Sequence, residues 1–146
     1  MLFGSSGIRQ CFSGPLVDTA LAVGAVLGEY FPDCIVGTDT RTTSPLLARA
    51  VIAGIAGAGG TAHSAGIVPT PTVAYCARTV QAGCMITASH NPEEYNGIKL
   101  FNPDGSSFVQ VQQRETEERL KKIHWADWEH QGKDVVFDAL TPHKNA

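Results

Sequence analysis

The chain has 146 residues, a formal net charge of −3, 43% hydrophobic and 17% charged content, the proportions of one globular domain with apolar side chains enough for a core. Only 11 lysines and arginines are present, so the sequence lacks the basic field that gathers nucleic-acid phosphates. Four cysteines, Cys11, Cys34, Cys76 and Cys84, form no Cys-x-x-Cys pair and follow no secretory leader, which points to reduced thiols and a cytoplasmic setting.

The opening stretch Phe3-Gly4-Ser5-Ser6-Gly7-Ile8-Arg9 admits two readings. It is either a flexible start to the fold or an anion-binding loop in which backbone N–H groups and Arg9 face a phosphate. From Pro15 to about Phe31, Leu16, Ala20, Val23, Leu27 and Tyr30 recur at helical spacing, with proline suited to the first position. Asp18 and Glu29 interrupt this stretch, so it is an amphipathic helix and not a membrane span. Cys34-Ile35-Val36-Gly37 is a short buried strand. Ser44-Pro45 caps a second helix through Leu47, Val51 and Ile55 to Gly57.

The cluster Gly57-Ala58-Gly59-Gly60 closes that helix. A nucleotide-binding glycine loop would follow a strand and open a helix, so no nucleotide site is assigned here. Residues 61–66 make a further strand, and Thr70-Pro71 starts a helix to about Val80. The apolar run Gly83-Cys84-Met85-Ile86-Thr87 is the central strand. Gly97-Ile98-Lys99-Leu100-Phe101 is the last one, ended by the turn cluster Asn102-Pro103-Asp104-Gly105. Residues 110–123 form a polar helix, acidic early and basic late, and beyond Trp125 the pattern weakens. His63, His124, His130 and His143 form no metal-ligand spacing.

Strand and helix alternate, so parallel strands with right-handed crossovers are expected. The loops at 38–43, 67–70 and 87–92 then leave one edge of the sheet, where open α/β sheets place ligands. The connection after residue 88 is too short for a parallel crossover, so the strand containing Lys99 runs antiparallel and returns to that edge. At the edge stands Thr87-Ala88-Ser89-His90-Asn91-Pro92. Ser89 is either a turn serine bonding its own backbone or a nucleophile, and the missing Gly-x-Ser-x-Gly argues against a hydrolase elbow. Lys99 is either a lysine guarding an edge strand or a catalytic group, and Asp39 and Arg41 pair to brace the edge.

This hexapeptide, followed by Glu93-Glu94-Tyr95-Asn96-Gly97-Ile98-Lys99, resembles the active-site serine loop of the α-D-phosphohexomutases. The opening stretch is similar to the family's Phe-Gly-Thr-Ser-Gly-Ile-Arg-Gly, departing at Ser5 and Gln10. The resemblance, archaeal in character, implies a three-layer α/β/α domain with a mixed four-stranded sheet, its last strand reversed, the first of four mutase domains. Residues 1–125 would be that domain, and residues 126–146 its boundary and the start of the linker to a second.

By the same resemblance Ser89 is a phosphoserine that transfers phosphate between C1 and C6 of glucose, glucosamine or mannose phosphate through a bisphosphate intermediate. Lys99 helps move the substrate hydroxyl proton and Arg9 is the cationic residue of the opening loop. His90 and Asn91 bind substrate. Mg2+ is held through the phosphate of Ser89, with its other ligands expected in the second domain. The family's Asp-Gly-Asp-x-Asp-Arg metal loop, its Gly-Glu-x-Ser-Gly sugar loop and its phosphate clamp are absent here, so the isolated chain is expected to be inactive. The implied partners are hexose phosphates and the remaining mutase domains, not nucleic acid or membrane. The alternative is a truncated, non-catalytic module that binds sugar phosphate or a partner.

Overall fold

The computed structural model describes residues 2–5 and 7–138. In chain order the strands are β1 (Ile8–Cys11), β2 (Asp33–Thr38), β3 (Thr61–Ile67), β4 (Ala82–Ile86), β5 (Tyr95–Phe101) and β6 (Lys133–Val136). The helices are α1 (Gly14–Tyr30), α2 (Ser44–Gly57), α3 (Thr70–Cys76), extended by a 3-10 turn at Ala77–Thr79, and α4 (Gln110–Leu120).

All six strands join one mixed sheet in the order β1-β5-β4-β2-β3-β6. β2 pairs in parallel with β3 and β4, and β3 in parallel with β6. β5 is antiparallel to both neighbours, with Met85 opposite Lys99 and Arg9 opposite Gly97. The reversal of the Lys99 strand and the common edge for the loops after β2, β3 and β4 both follow the expectation from spacing.

The sheet is a correction to the expected four strands. β1 and β6 had no strand signature because each is a four-residue edge strand, Ile-Arg-Gln-Cys and Lys-Asp-Val-Val, paired on one side only. Such strands need neither an apolar run nor clean alternation, since their outer edges face water. Of the stretch beyond Trp125, β6 therefore completes this sheet, while residues 139–146 lie outside the described residues.

Helices cover both faces. On one, Leu16, Ala20, Val23 and Leu27 of α1 and Leu47, Val51 and Ile55 of α2 pack onto Cys34, Val36, Cys84, Ile86, Ile98 and Leu100. On the other, Val73, Cys76 and Ala77 cover Ile35, Met85 and Phe101. Each fully buried large aliphatic stabilises the fold by roughly 1.5–3 kcal/mol relative to exposure. α4 lies beside α1, with the Arg119 guanidinium 3.7 Å from the centre of the Tyr30 ring.

The helix starts differ from the sequence reading by one residue. Ser13 caps α1, accepting a hydrogen bond from the Leu16 amide. Ser44 does not cap α2: it is the first helical residue, and its hydroxyl donates to Asp39 instead. The glycine cluster does close α2, with Gly59 in the left-handed region at φ 98°. Among the described residues the cysteines form no disulfide, and burial pushes the Cys34 thiol up to about 12, Asp33 adding to the effect. Among the described residues no helix is long and apolar enough to cross a membrane.

Candidate active site

The connection between β4 and β5 stands on the edge formed by the carboxyl ends of β2, β3 and β4. Its backbone is closed by its own hydrogen bonds. The Ser89 amide donates to Thr87 Oγ1 at 3.0 Å, the Asn91 amide to Ala88 O at 3.0 Å and the Tyr95 amide to Pro92 O at 2.9 Å. Ala88 is fully buried and pins the loop, whereas Ser89 and His90 are exposed. Ser89 has φ 56°, the only positive φ of a non-glycine among the described residues. Such a conformation costs on the order of 1–3 kcal/mol and persists only where its surroundings over-determine it.

Three polar side chains beneath the loop supply that constraint, Arg41 and Asn96 buried and Asp39 partly so. Arg41 Nη1 donates to Pro92 O at 2.6 Å and Tyr95 O at 3.0 Å, and Nη2 to Ser89 O at 3.1 Å and Asn91 O at 2.7 Å. Asp39, 3.3 Å from Arg41 Nε, accepts from the Arg41 amide at 3.0 Å and from Ser44 Oγ at 2.5 Å. Asn96, fully buried, donates to Thr43 Oγ1 and Ser44 Oγ, both at 2.9 Å, and accepts from the Gly97 amide. The expected Asp39–Arg41 pair is thus present, and it braces the serine loop itself.

Gly97 is where β1, β5 and the serine loop meet. A Cβ there would run into the Ile8 carbonyl and stand 3.0 Å from Thr87 O, so no larger residue fits without moving a strand. The Asn96-Gly97-Ile98-Lys99 sequence therefore divides its work. Asn96 and Gly97 fix the loop to the sheet, Ile98 enters the core, and Lys99 emerges on the opposite face from Asn96 and Ile98.

The sequence-predicted site residues are distributed as follows. Ser89 Oγ has no hydrogen-bond partner among the described residues, so it is not a turn serine bonding its own backbone. His90 is solvent-exposed beside it and makes no hydrogen bond among those residues. Arg9 reaches the loop: its Nη1 lies 3.3 Å from Ala88 O and 3.4 Å from Asn91 Oδ1, while its Nε is buried without a partner. Lys99 shares the sheet face of Arg9, because Arg9 stands opposite Gly97 and Lys99 is two residues further along β5. Its ammonium lies 5.5 Å from the centre of the Phe101 ring. Ser6 of the opening loop lies outside the described residues.

Two contributors carried no signal of function in the sequence. Glu117 on α4 accepts from the Leu2 and Phe3 amides at 2.7 and 2.8 Å, and Gln113 donates to Gly4 O at 3.3 Å, so α4 fastens the opening loop. The Phe3 amide, with that of Leu2, holds the Glu117 carboxyl below its ordinary range. Nothing local to residue 117 marks this role, since its partners are more than a hundred residues away.

A family model described as phosphoglucomutase/phosphomannomutase, alpha/beta/alpha domain I, matches residues 1–127. The chain belongs to this family. Within it, a phosphoglucosamine mutase of Methanococcus maripaludis is 47% identical over 146 residues, covering 99% of this chain and 32% of the relative. A phosphoglucosamine mutase of Methanococcus aeolicus is 40% identical over 159 residues, covering 99% of this chain and 35% of its own length. A phosphoglucomutase/phosphomannomutase family protein of Burkholderia thailandensis superposes with a TM-score of 0.84 at 24% identity over 97% of this chain and 34% of that one, a likeness of fold. This phosphoglucomutase/phosphomannomutase domain I spans about a third of the length of the curated relatives it matches.

A resident Mg2+ would need several oxygen ligands in near-octahedral array. Among the described residues no group of three or more His, Cys, Asp or Glu side chains could hold a metal ion, and Asp39 is already bound by Arg41 and Ser44. The domain by itself does not fit the cation.

Proposed function

We propose that this chain is the serine-bearing first domain of a longer hexose-phosphate mutase, and that Ser89 carries the phosphoryl group. The observation that carries this is the state of Ser89: a side chain exposed and unpartnered on a backbone fixed at φ 56°, beside the under-used donors of Arg9. Support for the longer protein comes from the relatives, of which this chain matches about a third.

In the proposed reaction the P–O bond to Ser89 Oγ breaks as phosphate passes to one hydroxyl of a hexose phosphate. That hydroxyl loses its proton with the help of Lys99. The bisphosphate then returns its other phosphate to Ser89, so the phosphate count on enzyme and sugar is unchanged over the cycle. Charge neutralisation by positioned cations is the main catalytic resource in such transfers. Arg9 would supply one such cation, with His90 and Asn91 lining the sugar side.

Mg2+, when bound, would neutralise charge on the transferring phosphate, and apart from that phosphate on Ser89 its ligands would come from a further domain. Glucosamine phosphate is the favoured substrate on the names of the relatives, with glucose and mannose phosphates as the other members of the set. The buried thiols, joined by no disulfide, fit a cytoplasmic protein. Residues beyond β6 would lead to the next domain.

The test is a coupled assay of hexose 1-phosphate to 6-phosphate conversion by the full-length polypeptide, with Ser89→Ala and Arg9→Ala alongside. Turnover is expected to vanish in the first and to fall in the second. Metal-dependent turnover by residues 1–146 alone, lost on Ser89→Ala, would overturn the partial-domain assignment.

A further inference from the structure

We propose that Arg41 is a positioning residue for phosphoryl transfer, acting through the Ser89 backbone from beneath the loop and taking no contact with phosphate. The proposal rests on Ser89 as the phosphoryl carrier. A guanidinium offers five N–H donors and accepts nothing. In Arg41 the four terminal N–H groups are hydrogen-bonded to the carbonyls of Ser89, Asn91, Pro92 and Tyr95 at 2.6–3.1 Å, and Nε stands 3.3 Å from Asp39 as an ion pair. The side chain is 9% exposed, and Asp39 is itself held by Ser44 Oγ and the Arg41 amide. With its terminal donors all hydrogen-bonded and Nε set against Asp39, Arg41 has no open path to an anion above the loop.

Arg9 is its opposite. It makes two long contacts, 3.3 and 3.4 Å, and keeps a buried Nε unpartnered among the described residues. The two arginines divide the work: Arg9 has donors to spend on a ligand, and Arg41 spends its four terminal donors on the backbone. Four carbonyls spread over seven residues, gathered onto one rigid planar fork, fix the curvature of the loop. The Ser89 carbonyl among them fixes the peptide that follows the left-handed residue, and so the direction in which Oγ is presented. Lysine cannot reproduce this arrangement, because its three donors radiate from one point.

The experiment compares Arg41→Gln, Arg41→Lys, Arg9→Ala and Ser89→Ala in the full-length polypeptide, by steady-state kinetics and by amide hydrogen exchange over residues 88–95. Misplacement of the reacting group by about 1 Å lowers the rate by about 100-fold, so both Arg41 variants are expected to lose about that factor in kcat with KM within about threefold. Exchange in the loop should rise in both, while Arg9→Ala should lower turnover and raise KM yet leave loop exchange near wild type. If Arg41→Gln does not fold, Arg41→Lys decides, since it keeps the charge and the aliphatic stem. Wild-type kcat and loop protection in Arg41→Lys would overturn the proposal by showing that charge alone suffices. So would a raised KM with unchanged kcat, the signature of a ground-state phosphate contact. Activity retained in Ser89→Ala would remove the underlying assignment of Ser89, whereas activity retained only in the Arg41 variants removes the positioning role alone.

Discussion

Replacing Gly24 by alanine should unseat α1 from α2, and the expected size follows from what the new methyl meets. A Cβ at Gly24 would collide with the Val51 carbonyl oxygen and stand 2.8 Å from its carbon and 2.9 Å from its Cα. Non-bonded carbons rest at about 3.5–4.0 Å, so the helices must part by about 1 Å along the crossing. All three atoms are backbone, leaving no side-chain rotamer to yield, which places the cost near the top of the ~1–3 kcal/mol usual for overpacking. Alanine recovers about 1 kcal/mol of helix propensity over glycine. The net loss is about 2 kcal/mol, a fall in Tm of about 7 °C for a chain of this size.

Gly14→Ala is the matched control, because a Cβ at that position meets nothing within 4 Å. It should be neutral or slightly stabilising. Urea and thermal unfolding of the two variants beside the wild type measure the difference directly. A Gly24→Ala protein as stable as Gly14→Ala would refute the close backbone contact between α1 and α2.

Lys99→Ala in the full-length polypeptide should lower turnover by about a hundredfold to ten-thousandfold, the scale of a lost proton-transfer group, while leaving phosphate on Ser89. Intact mass and a coupled assay on the same sample check both halves. Glu117→Gln should cost on the order of 1 kcal/mol at neutral pH, because two backbone amides lose a charged acceptor. The folded carboxyl is depressed below the ordinary value of 4.5, so its contribution is complete above that pH and is lost as pH falls through the folded value. Urea midpoints of wild type and Glu117→Gln should therefore converge only in acid, and a constant gap from pH 7 to pH 3 would contradict the anchoring role.

The parts of this fold that were legible in the sequence are those whose local chemistry matches their surroundings. α1 and α2 show helical apolar spacing because one face of each is buried, and β2 and β4 show apolar runs because both faces of the sheet are covered. β1 and β6 were illegible because a short edge strand satisfies half its backbone with water and needs no apolar pattern. Ser44-Pro45 was misleading: the sequence has the form of a cap, but Asp39 lies close enough to take the hydroxyl. Ser89 and Lys99 were singled out through a contiguous motif. The Asp39–Arg41 brace was expected at this edge, but its grip on the serine loop was not, since Arg41 meets its loop partners about fifty residues on, and Glu117 meets its own more than a hundred residues back.

The most direct measurement of the central claim is phosphopeptide mapping of the full-length polypeptide as isolated. The peptide containing Thr87-Ala88-Ser89-His90-Asn91 should carry one phosphate on Ser89, discharged by hexose phosphate and absent in a folded Ser89→Ala protein. A phosphate found on a different residue, with normal turnover in Ser89→Ala, would contradict the assignment of this loop as the phosphoryl carrier.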